Sequence, residues 1–599
     1  MPHAGKIEPG YSIARRPTRT VMVGDVGVGG DNPIRVQSMI SSATHDVESS
    51  VRQLSALVDA GCEIARLTVP TRSDLEALPL IRLRLAERNI TIPLVADIHY
   101  SPELAVAAVP WVDKIRINPG NYGEKKRWDH DLSASEYHSE LEQVRKRLLP
   151  LVAALKQHQC SLRIGTNHGS LSSRVLNRWG NNANGMVVSA LEYIEICEQL
   201  NFRDIIVSMK ASSPRTMIDA YRLLVKRMQE SGRDYPLHLG VTEAGQGRDG
   251  VIRSAVGIGA LLLDGIGDTV RVSLTDPPVA EIEPALAIIK VLQRDHDNVS
   301  QLPASKPESI DRNQVGRRIT SVIQCSHCSI GGDWPPVVAA PALEEEQPEP
   351  EFTIADDGLP TMGLFPDRSA ERVVIAAADL EKLDSENMPS MLEVVFSANL
   401  PESELAVFRK CNLLPGSTMV AIDTANLLVD NRLLAAVCDD YPLDIYCGAH
   451  LNIDSIALAM SCGALLLEGI GDAITLLGSS YGETPVSLAY GILQGTGRRL
   501  TRAEIISCPT CGRTRFDLVA VTKAVRELTG HLRGLKIAVM GCVVNGPGEM
   551  ADADFGYVGV SEDVVHLYRA GVLVRRDVPA DKAALQLVEL IKEADRWHD

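Results

Sequence analysis

The chain has 599 residues, enough for several domains, and 45% of them are apolar while only 4% are aromatic. A large core of aliphatic side chains can therefore form, as in α/β folds. The net charge of −17 argues against binding to nucleic-acid backbones or anionic membranes. Twelve cysteines are too few for a disulfide scaffold, so we expect reduced thiols or metal ligands.

The ends of the chain and its apolar runs predict a cytosolic location. No apolar run approaches the roughly 18 residues of a membrane-spanning helix. The N-terminal residues have no apolar segment of the kind found in signal peptides, and little room remains for a transit peptide. We expect a cytoplasmic protein.

The first part of the chain alternates short β-branched runs with amphipathic stretches, which is typical of β/α units around a parallel sheet. Eight such units in about 260 residues predict a TIM (β/α)8 barrel over residues 1–294, and their regular spacing makes an open doubly wound sheet less favoured. The strand candidates are residues 33–39, 64–70, 92–99, 113–120, 161–169, 204–212, 237–245 and 269–274.

An internal repeat follows the barrel. Residues 331–358 contain eight acidic residues, five prolines and no Lys or Arg, so we interpret 295–358 as a solvated linker. Residues 235–274 are then echoed by 441–477, with matching Tyr-Pro-Leu, GALLL and GIGD segments. A repeat of this length indicates duplicated architecture, so we expect a barrel-like α/β insert domain over residues 359–500.

The second copy of the repeat has lost polar groups. Arg271 and Ser273 correspond to Thr475 and Leu477, and Glu243 has no acidic counterpart. A copy that keeps its apolar pattern but loses its charges is expected to be a degenerate structural spacer. Residues 501–599 change pattern again and predict a small α+β domain with two helices, one strand and two further short strands.

Polar side chains collect where the predicted barrel strands end, which is where barrel enzymes place functional groups. Each cation alone could be a solvated or ion-paired charge, but five on five strands of an acidic protein predict an anion of high charge density, such as a diphosphate. The cations are Arg66, Arg116, Arg163, Lys210 and Arg271, and the neutral groups near them are Gln37, Ser38, Asn118, Asn121, Asn167, Ser212 and Ser273.

Carboxylates also stand among these groups. Glu243 could exchange protons with a substrate oxygen or could simply pair with one of the arginines, and neither reading is preferred. Asp97 and His99 are interpreted as a hydrogen-bonded pair that lines the barrel, rather than as catalytic groups.

A second constellation lies in the last hundred residues. Cys508 and Cys511 form a C-x2-C pair, Cys542 ends a later strand candidate, and Glu549 follows in an Asn-Gly-Pro-Gly-Glu turn that begins at Asn545. The only nearby histidine, His531, falls within the helix pattern, so the three thiolates favour a [4Fe–4S] cluster with one open iron over a closed zinc site. Glu549 could be a weak fourth ligand. Buried structural thiols remain the alternative.

Nine cysteines lie outside this constellation. Cys325 and Cys328 form a second C-x2-C pair without a third ligand nearby in sequence, and whether they bind a metal stays open. Seven more are interpreted as core residues, because they lie within helix or strand patterns. They are Cys62, Cys160, Cys197, Cys411, Cys438, Cys447 and Cys462.

Several segments together resemble the 4-hydroxy-3-methylbut-2-enyl diphosphate synthase family of the methylerythritol phosphate route to isoprenoids. They are PIRVQSM, PLVADIH, RINPGN, VTEAG, GIGDTVRVSL, ISCPTCGRTRFDL and GCVVNGPGE. The resemblance covers roughly residues 15–294 and 500–599, and 295–500 resembles the insert of the family's three-domain form. It implies a two-electron reductive ring opening of 2-C-methyl-D-erythritol 2,4-cyclodiphosphate, with loss of water.

The resemblance also implies roles for individual residues. The cations at the strand ends, with Asn118, Asn167, Ser212 and Ser273, would hold the diphosphate, and Glu243 would handle protons. Cys508, Cys511 and Cys542 would hold the cluster, Glu549 would be its exchangeable fourth ligand, and Asn545 would lie close to the substrate. Ferredoxin or flavodoxin would supply electrons.

The cluster domain must then close over the barrel mouth. The insert as a spacer would allow this within one chain, so we expect a monomer to be sufficient for catalysis. Two other readings remain open from the sequence. One is a metal-independent lyase or isomerase of a sugar phosphate with a structural zinc, and the other is an iron-responsive binding protein.

Overall fold

The computed structural model describes most of the chain. The described residues are 15–122, 131–294, 318–324, 328–341, 352–354, 372–382, 391–398, 400–411, 413–424, 426–438, 440–447, 454–476, 484–514, 516–543, 546–550, 552–561 and 563–598. Residues 15–290 and 502–599 form one compact unit, and residues 291–501 form another. Among the described helices, none has the length and apolar character needed to cross a bilayer.

The first unit begins with a hairpin and an eight-stranded parallel barrel. The strands are β1 (Val21–Val23), β2 (Val26–Val28), β3 (Arg35–Met39), β4 (Ile64–Thr68), β5 (Leu94–Ile98), β6 (Lys114–Ile117), β7 (Ser161–Asn167), β8 (Ile205–Lys210), β9 (His238–Leu239) and β10 (Thr269–Val270). Strands β3 to β8 pair in chain order, and β10 lies between β3 and β9. A parallel bridge from Val207 to Leu237 joins β8 to the β9 edge, so all eight predicted strands and the TIM barrel are confirmed.

Helices follow the strands as β/α topology requires. They are α1 (Val47–Asp59), α2 (Arg72–Glu87), α3 (Pro102–Ala108), α4 (Ala134–His158), α5 (Ser173–Trp179), α6 (Ala183–Gln199), α7 (Pro214–Glu230), α8 (Gly247–Leu263) and α9 (Ile282–Arg294). Thr71 and Ser133 begin α2 and α4 with capping boxes, which satisfy the first free backbone N–H groups of each helix. Every residue of β4 to β8 is buried, as expected for strands covered on both faces.

The hairpin β1–β2 occupies the amino-terminal end of the barrel. Its Val21, Val23 and Val28 pack against Ile64 and Ile206, which lie at the beginnings of β4 and β8. This apolar contact covers the end of the barrel where the strands begin. The opposite end, where the strands finish, carries the polar groups.

The second unit contains a seven-stranded sheet whose pairings are all parallel. The strands and helices of this unit are β11 (Ile323–Gln324), β12 (Ser329–Ile330), β13 (Val337–Pro341), β14 (Phe352–Ile354), β15 (Arg372–Ala376), β16 (Met391–Ser397), β17 (Thr418–Asp423), β18 (Leu443–Cys447), β19 (Ala473–Leu476), α10 (Glu402–Lys410), α11 (Leu427–Val437), α12 (Ser455–Leu467) and α13 (Pro485–Thr496). Strands β11 and β12 form a separate antiparallel hairpin. The strand order is β14-β13-β19-β18-β17-β16-β15. The first strand of this sheet therefore pairs with the last, as β3 pairs with β10 in the barrel.

The structure differs from the predicted linker over residues 295–358. Strand β13 lies between β14 and β19, and its Val338 and Ala339 are fully buried. Most of the acidic and proline residues that suggested a linker flank β13 in sequence, and Pro341 is its last residue. The barrel-like insert therefore begins earlier than residue 359, and residues 328–341 belong to its fold.

The last hundred residues form the C-terminal domain of the first unit. A five-stranded sheet, β20 (Glu504–Ser507), β21 (Lys536–Met540), β22 (Phe555–Ser561), β23 (Val564–Arg569) and β24 (Val572–Pro579), pairs in chain order and is accompanied by α14 (Leu518–Thr529), α15 (Gly546–Glu549) and α16 (Ala580–Glu593). The predicted α+β class is confirmed, although three short strands follow the turn where two were expected. Strands β20, β21 and β22 are parallel, so the first two end at the same edge.

Candidate active site

The predicted cations lie inside the barrel, on or just after their strands. Arg66, Arg116, Arg163, Lys210 and Arg271 are all at most 7% exposed. Arg163, Gly165 and Asn167 lie at every second position of β7, so all three lie on the same face of the strand. Gly165 leaves room for the Arg116 side chain, because a Cβ at this position would lie 2.6 Å from Nε of Arg116.

Arg116 lies at the centre of the hydrogen-bond network. Its Nη1 donates to Oδ1 of Asp97 at 2.8 Å and lies 2.7 Å from Nε2 of His99, while its Nη2 donates to the Gly165 carbonyl at 3.0 Å and to Oδ1 of Asn167 at 3.3 Å. Burial lowers the pKa of His99 to about 4, helped by nearby cations, so the imidazole is neutral at pH 7. Asp97 and His99 are therefore the satisfied pair that the sequence suggested.

Asp97 is the shared anion of this cluster. Burial alone would raise its pKa, but the charges of Arg116, Arg66 and Arg513 outweigh burial and hold the pKa well below the ordinary value. The carboxylate therefore stays ionised and balances part of the buried positive charge.

Two of the cations lack protein counterions within the part of the chain that the structure describes. Nε and Nη1 of Arg163 have no hydrogen-bond partner. Lys210 likewise has no ion pair among the described residues, and burial together with the charge of Arg271 lowers its pKa well below the ordinary value. Gly240 leaves space for this side chain, since a Cβ there would lie 2.6 Å from Nζ of Lys210. Such buried, unbalanced donors favour an external anion.

Arg271 is engaged differently. Its Nε and Nη2 donate to the two oxygens of Glu281 at 3.0 and 2.9 Å, and Ser38 also donates to Glu281 at 2.7 Å. One side of its guanidinium is therefore held by the barrel, and Nη1 is left near Sδ of Met39 at 3.9 Å. Glu281 was not predicted from the sequence, where the only sign of its role is that an acidic residue stands shortly after the last barrel strand.

The predicted neutral ligands also differ in how they are used. Asn118 donates from Nδ2 to Oγ of Ser170 at 2.8 Å and accepts from the Gly120 amide at 3.0 Å, so both ends of its side chain hold a turn. Ser273 is buried and Ser212 is partly buried, and among the described residues neither hydroxyl has a hydrogen-bond partner.

Glu243 is fully buried, and neither of its oxygens has a hydrogen-bond partner within the described ranges. Its φ of +56° lies in the left-handed region, which is strained for a residue with a side chain and is often found at functional sites. The next residue, Ala244, forms a bridge with Ser507 of the C-terminal domain. The Glu243 loop therefore touches the strand that leads directly to Cys508.

The three cysteines gather at one edge of the C-terminal sheet. Cys508 and Cys542 follow the neighbouring parallel strands β20 and β21, and Sγ of Cys508 accepts from the Gly541 amide at 3.1 Å. Burial raises the pKa of Cys508, and the charges of Cys542 and Cys511 raise it further, as expected for neighbouring thiols. In the described part of the chain, no three Cys, His, Asp or Glu side chains are close enough to hold a single ion.

These thiols still fit a cluster by their chemistry. The irons of a cluster are held by separate thiolates, so its ligands need not converge on one point as the ligands of a single ion do. A hydrogen bond from a backbone amide to a sulfur, as at Cys508, is also typical of such sites.

Glu549 connects the two domains. Its Oε1 accepts from Nδ2 of Asn167 at 2.6 Å, and burial raises its pKa to about 7. The turn around it approaches the barrel backbone closely, since a Cβ on Gly548 would lie 1.8 Å from the Gly169 carbonyl oxygen. Only glycine permits this approach. Asn545, also predicted at the site, lies outside the described residues.

Further contacts seat the C-terminal domain on the carboxyl ends of the barrel strands. Thr275 hydrogen-bonds to the Ser507 hydroxyl and to the Cys508 carbonyl at 3.3 Å, and Nη2 of Arg513 donates to Oδ2 of Asp97 at 3.2 Å. Arg513 was not predicted from the sequence as a site residue, although Arg513 lies two residues after Cys511.

The remaining cysteines agree with their predicted core roles. All seven are buried except Cys411, which is half-buried. Cys328 is also half-buried, and Cys325 lies outside the described residues.

The fold and the site define a β/α-barrel enzyme whose cation-lined mouth is covered by a three-cysteine domain of the same chain. The family described as GcpE TIM-barrel domain matches residues 18–286, and that described as GcpE protein C-terminal domain matches residues 504–593. Among solved structures, an N-acetylneuraminic acid synthetase from Leptospira borgpetersenii covers 47% of this chain and 90% of its own at 12% identity, with a TM-score of 0.31, a likeness too weak to bear on fold or function.

Full-length relatives are much closer. The 4-hydroxy-3-methylbut-2-en-1-yl diphosphate synthases (flavodoxin) of Leptospira interrogans and Akkermansia muciniphila are each 42% identical over 98% of this chain and 98% of their own. The chloroplastic ferredoxin-named enzyme of Oryza sativa is 36% identical over 100% of this chain and 90% of its own. The chain belongs to the 4-hydroxy-3-methylbut-2-en-1-yl diphosphate synthase family.

Proposed function

We propose that this chain opens the ring of 2-C-methyl-D-erythritol 2,4-cyclodiphosphate to give 4-hydroxy-3-methylbut-2-enyl diphosphate, taking up two electrons and releasing water. The observation that carries the proposal is the 2.6 Å hydrogen bond from Asn167 to Glu549. It joins the cation-lined barrel to the turn that follows the third cysteine. A substrate bound by the barrel therefore lies next to the thiols.

The barrel binds the diphosphate through buried cations, two of which lack counterions among the described residues. Arg163 and Lys210 are buried without counterions among the described residues, so the phosphate oxygens take the place of the missing anions. Arg116 and Arg271 are held by Asp97 and Glu281, which fixes their orientation in advance of binding. Asn118 supports this surface by holding its turn, while Ser212 and Ser273 have hydroxyls available to the ligand.

Cys508, Cys511 and Cys542 would hold a [4Fe–4S] cluster, with Glu549 as an exchangeable fourth ligand. When bound, the cluster supplies single electrons to the substrate at an iron that lacks a thiolate. The hydrogen bond from Asn167 holds Glu549 at the boundary between barrel and thiols, and it gives the carboxylate a partner on the barrel side. Asn545 stays a predicted neighbour of the substrate.

Glu243 is the group that would move a proton. Its carboxyl is buried, it has no hydrogen-bond partner among the described residues, and it lies on the loop that touches Ser507. A carboxyl in such a place can protonate the departing oxygen within the closed site, where bulk water is excluded. The electron donor would be a flavodoxin or a ferredoxin, the two donors named among the relatives.

One chain would be sufficient for this chemistry, because the contacts between barrel and C-terminal domain are made within one chain. Mixing an Arg271→Ala chain with a Cys542→Ser chain tests this proposal. The mixture should stay inactive, whereas recovery of activity would show that sites are shared between chains.

Protein purified without oxygen tests the proposed function. We expect about four irons and matching sulfide per chain, and turnover of the cyclic diphosphate with a chemical reductant. Zinc in place of iron would contradict the proposal, and so would an iron-loaded protein that binds the cyclic diphosphate but never converts it.

A further inference from the structure

We propose that Arg513 is a positioning residue for substrate binding: it holds Asp97, and through Asp97 it fixes the direction in which Arg116 presents its guanidinium. The inference rests on the proposed function, because it assigns Arg116 to the diphosphate. Arg513 belongs to the C-terminal domain, yet its side chain is buried against the barrel and is only 8% exposed.

The carboxylate of Asp97 is divided between two domains. Its Oδ1 accepts from Nη1 of Arg116 at 2.8 Å, and its Oδ2 accepts from Nη2 of Arg513 at 3.2 Å. The same Arg513 nitrogen also lies 3.4 Å from the backbone carbonyl of Asp97. Asp97 is 2% exposed, so water cannot easily replace either arginine.

These contacts continue across the barrel and return to the C-terminal domain. Nη2 of Arg116 donates to Oδ1 of Asn167 at 3.3 Å, and Nδ2 of Asn167 donates to Oε1 of Glu549 at 2.6 Å. A chain of four hydrogen bonds therefore begins at Arg513 and ends at Glu549. Its three middle residues come from the ends of the adjacent strands β5, β6 and β7.

Removing Arg513 would leave one oxygen of a buried carboxylate without its donor. Arg116 is the nearest guanidinium already bound to Asp97, and it can take both oxygens in the two-pronged geometry that arginine and carboxylate favour. That movement would withdraw Nη2 from Asn167 and turn the guanidinium away from the mouth. Arg513 thus makes the diphosphate site dependent on the seating of the C-terminal domain.

The test uses the full-length protein with its metal content measured. For Arg513→Gln we expect the Kd for inorganic pyrophosphate and the KM for the cyclic diphosphate to rise by at least about tenfold, the effect of losing one partner of a buried ion pair. Iron per chain should stay at the wild-type level and kcat should change less than KM. Arg513→Lys, which keeps the charge, should recover part of the loss.

Arg526→Gln is a matched control. Arg526 lies on the same domain and also pairs with a barrel carboxylate, with Nη1 2.5 Å from Oδ2 of Asp249, but it is outside the chain of contacts. Asp249 keeps Arg502 as a second partner. We therefore expect Arg526→Gln to change both constants by less than about twofold.

A double variant separates a positioning role from a general structural one. If Arg513 acts through Asp97, adding Arg513→Gln to Asp97→Asn should weaken pyrophosphate binding no further than Asp97→Asn alone. Full additivity would overturn the inference, as would an Arg513→Gln protein that binds like Arg526→Gln or that loses its iron. Failure of wild-type protein to bind pyrophosphate and to turn over would instead refute the proposed function.

Discussion

The barrel and the insert contain two copies of one scaffold, and the same contacts hold both. In the barrel, Oδ2 of Asp268 accepts from the Leu237 amide at 2.8 Å, and in the insert Oδ2 of Asp472 accepts from the Leu443 amide at 3.1 Å. Each aspartate follows the repeated Gly-Ile-Gly and joins the beginnings of two neighbouring strands.

The likeness reaches further back along the chain than the repeat seen in the sequence. Thr18 donates to Oδ1 of Asp268 at 2.9 Å, and Thr320 donates to Oδ1 of Asp472 at 3.4 Å. The amides of Gly30 and Gly332 donate to these threonines at 3.0 and 2.9 Å. The duplication therefore includes the hairpin that precedes each sheet.

The interiors of the two copies differ. Gly240, which leaves room for Nζ of Lys210, corresponds to Tyr446, a side chain that is 1% exposed. Arg271 corresponds to Thr475, whose hydroxyl donates to Asp444. The contacts that join the strands thus survive, while Tyr446 and Thr475 stand at the positions of Gly240 and Arg271. The scaffold and the site are therefore separable, since one copy keeps the scaffold without the cations of the site.

Loss of a cluster ligand should have the largest effect. Cys542→Ser should lose most of its iron and sulfide, and its activity should fall by at least about a hundredfold, because a thiolate ligand is removed. Metal and sulfide analysis measures this directly. Cys411→Ser in the insert is the control and should keep full iron content. An iron-replete, active Cys542→Ser protein would mean that the cysteine is not a ligand.

Lys210→Met should separate binding from stability. Loss of a charged donor to phosphate should weaken binding of the cyclic diphosphate by about tenfold to a hundredfold. The thermal midpoint should not fall, because the variant also removes a buried cation that has no counterion among the described residues. Calorimetry and thermal unfolding measure the two effects.

Thr475→Val is the corresponding change in the insert and should show the reverse pattern. It removes the hydrogen bond to Asp444 and should lower the thermal midpoint, while substrate affinity stays within about twofold of wild type. If Lys210→Met and Thr475→Val lost substrate affinity equally, the proposal that the barrel binds the substrate and that the insert is a spacer would be contradicted.

Two glycines should show that the scaffolds are equivalent. A Cβ at Gly267 would lie 2.5 Å from Cδ1 of Leu239, and one at Gly471 would lie 2.7 Å from Cδ1 of Ile445. Their φ angles of +129° and +111° also disfavour a side chain. Each change to Ala should cost about 1–3 kcal/mol of unfolding free energy, measured by denaturant titration. A cost confined to one copy would show that the two turns are not equivalent.

A further prediction concerns pH. The pKa of folded His99 is about 4, against 6.5 ordinarily, so the unfolded chain binds the extra proton between these values. Stability from this residue is therefore lost as pH falls from 6.5 toward 4, by up to about 1.4 kcal/mol per unit.

His99→Gln should flatten that part of the stability profile, measured by calorimetry from pH 4.5 to 7.5. An unchanged stability profile in His99→Gln would contradict this origin.

Much of the fold could be predicted because periodicity and strand spacing are local signals. All eight barrel strands lie within their predicted ranges, although β9 and β10 are only two residues long. Strand β13 was missed because its short apolar run lies beside acidic and proline residues. The pattern Gly-Gly-Asp, shared by residues 29–31 and 331–333, was the available signal for this first part of the duplication.

The candidate site residues could be named from the sequence, but their contacts could not. Cations at strand ends and three spaced cysteines are visible in sequence, because barrel topology brings strand ends together. The pairing of Arg513 with Asp97, of Arg271 with Glu281, and the approach of Gly548 to Gly169 join distant segments. They depend on how side chains pack and how the C-terminal domain is seated, which no local pattern records.

The central claim is that the barrel cations and the cysteines of one chain form a single site. An EPR titration of the reduced, iron-loaded protein with the cyclic diphosphate, in wild type and in Lys210→Met, tests it most directly. We predict that the diphosphate alters the wild-type cluster spectrum and that the variant needs at least about tenfold more ligand for the same change. A cluster spectrum that does not change when the cyclic diphosphate is added, or that changes at the same ligand concentration in both proteins, would contradict this proposal.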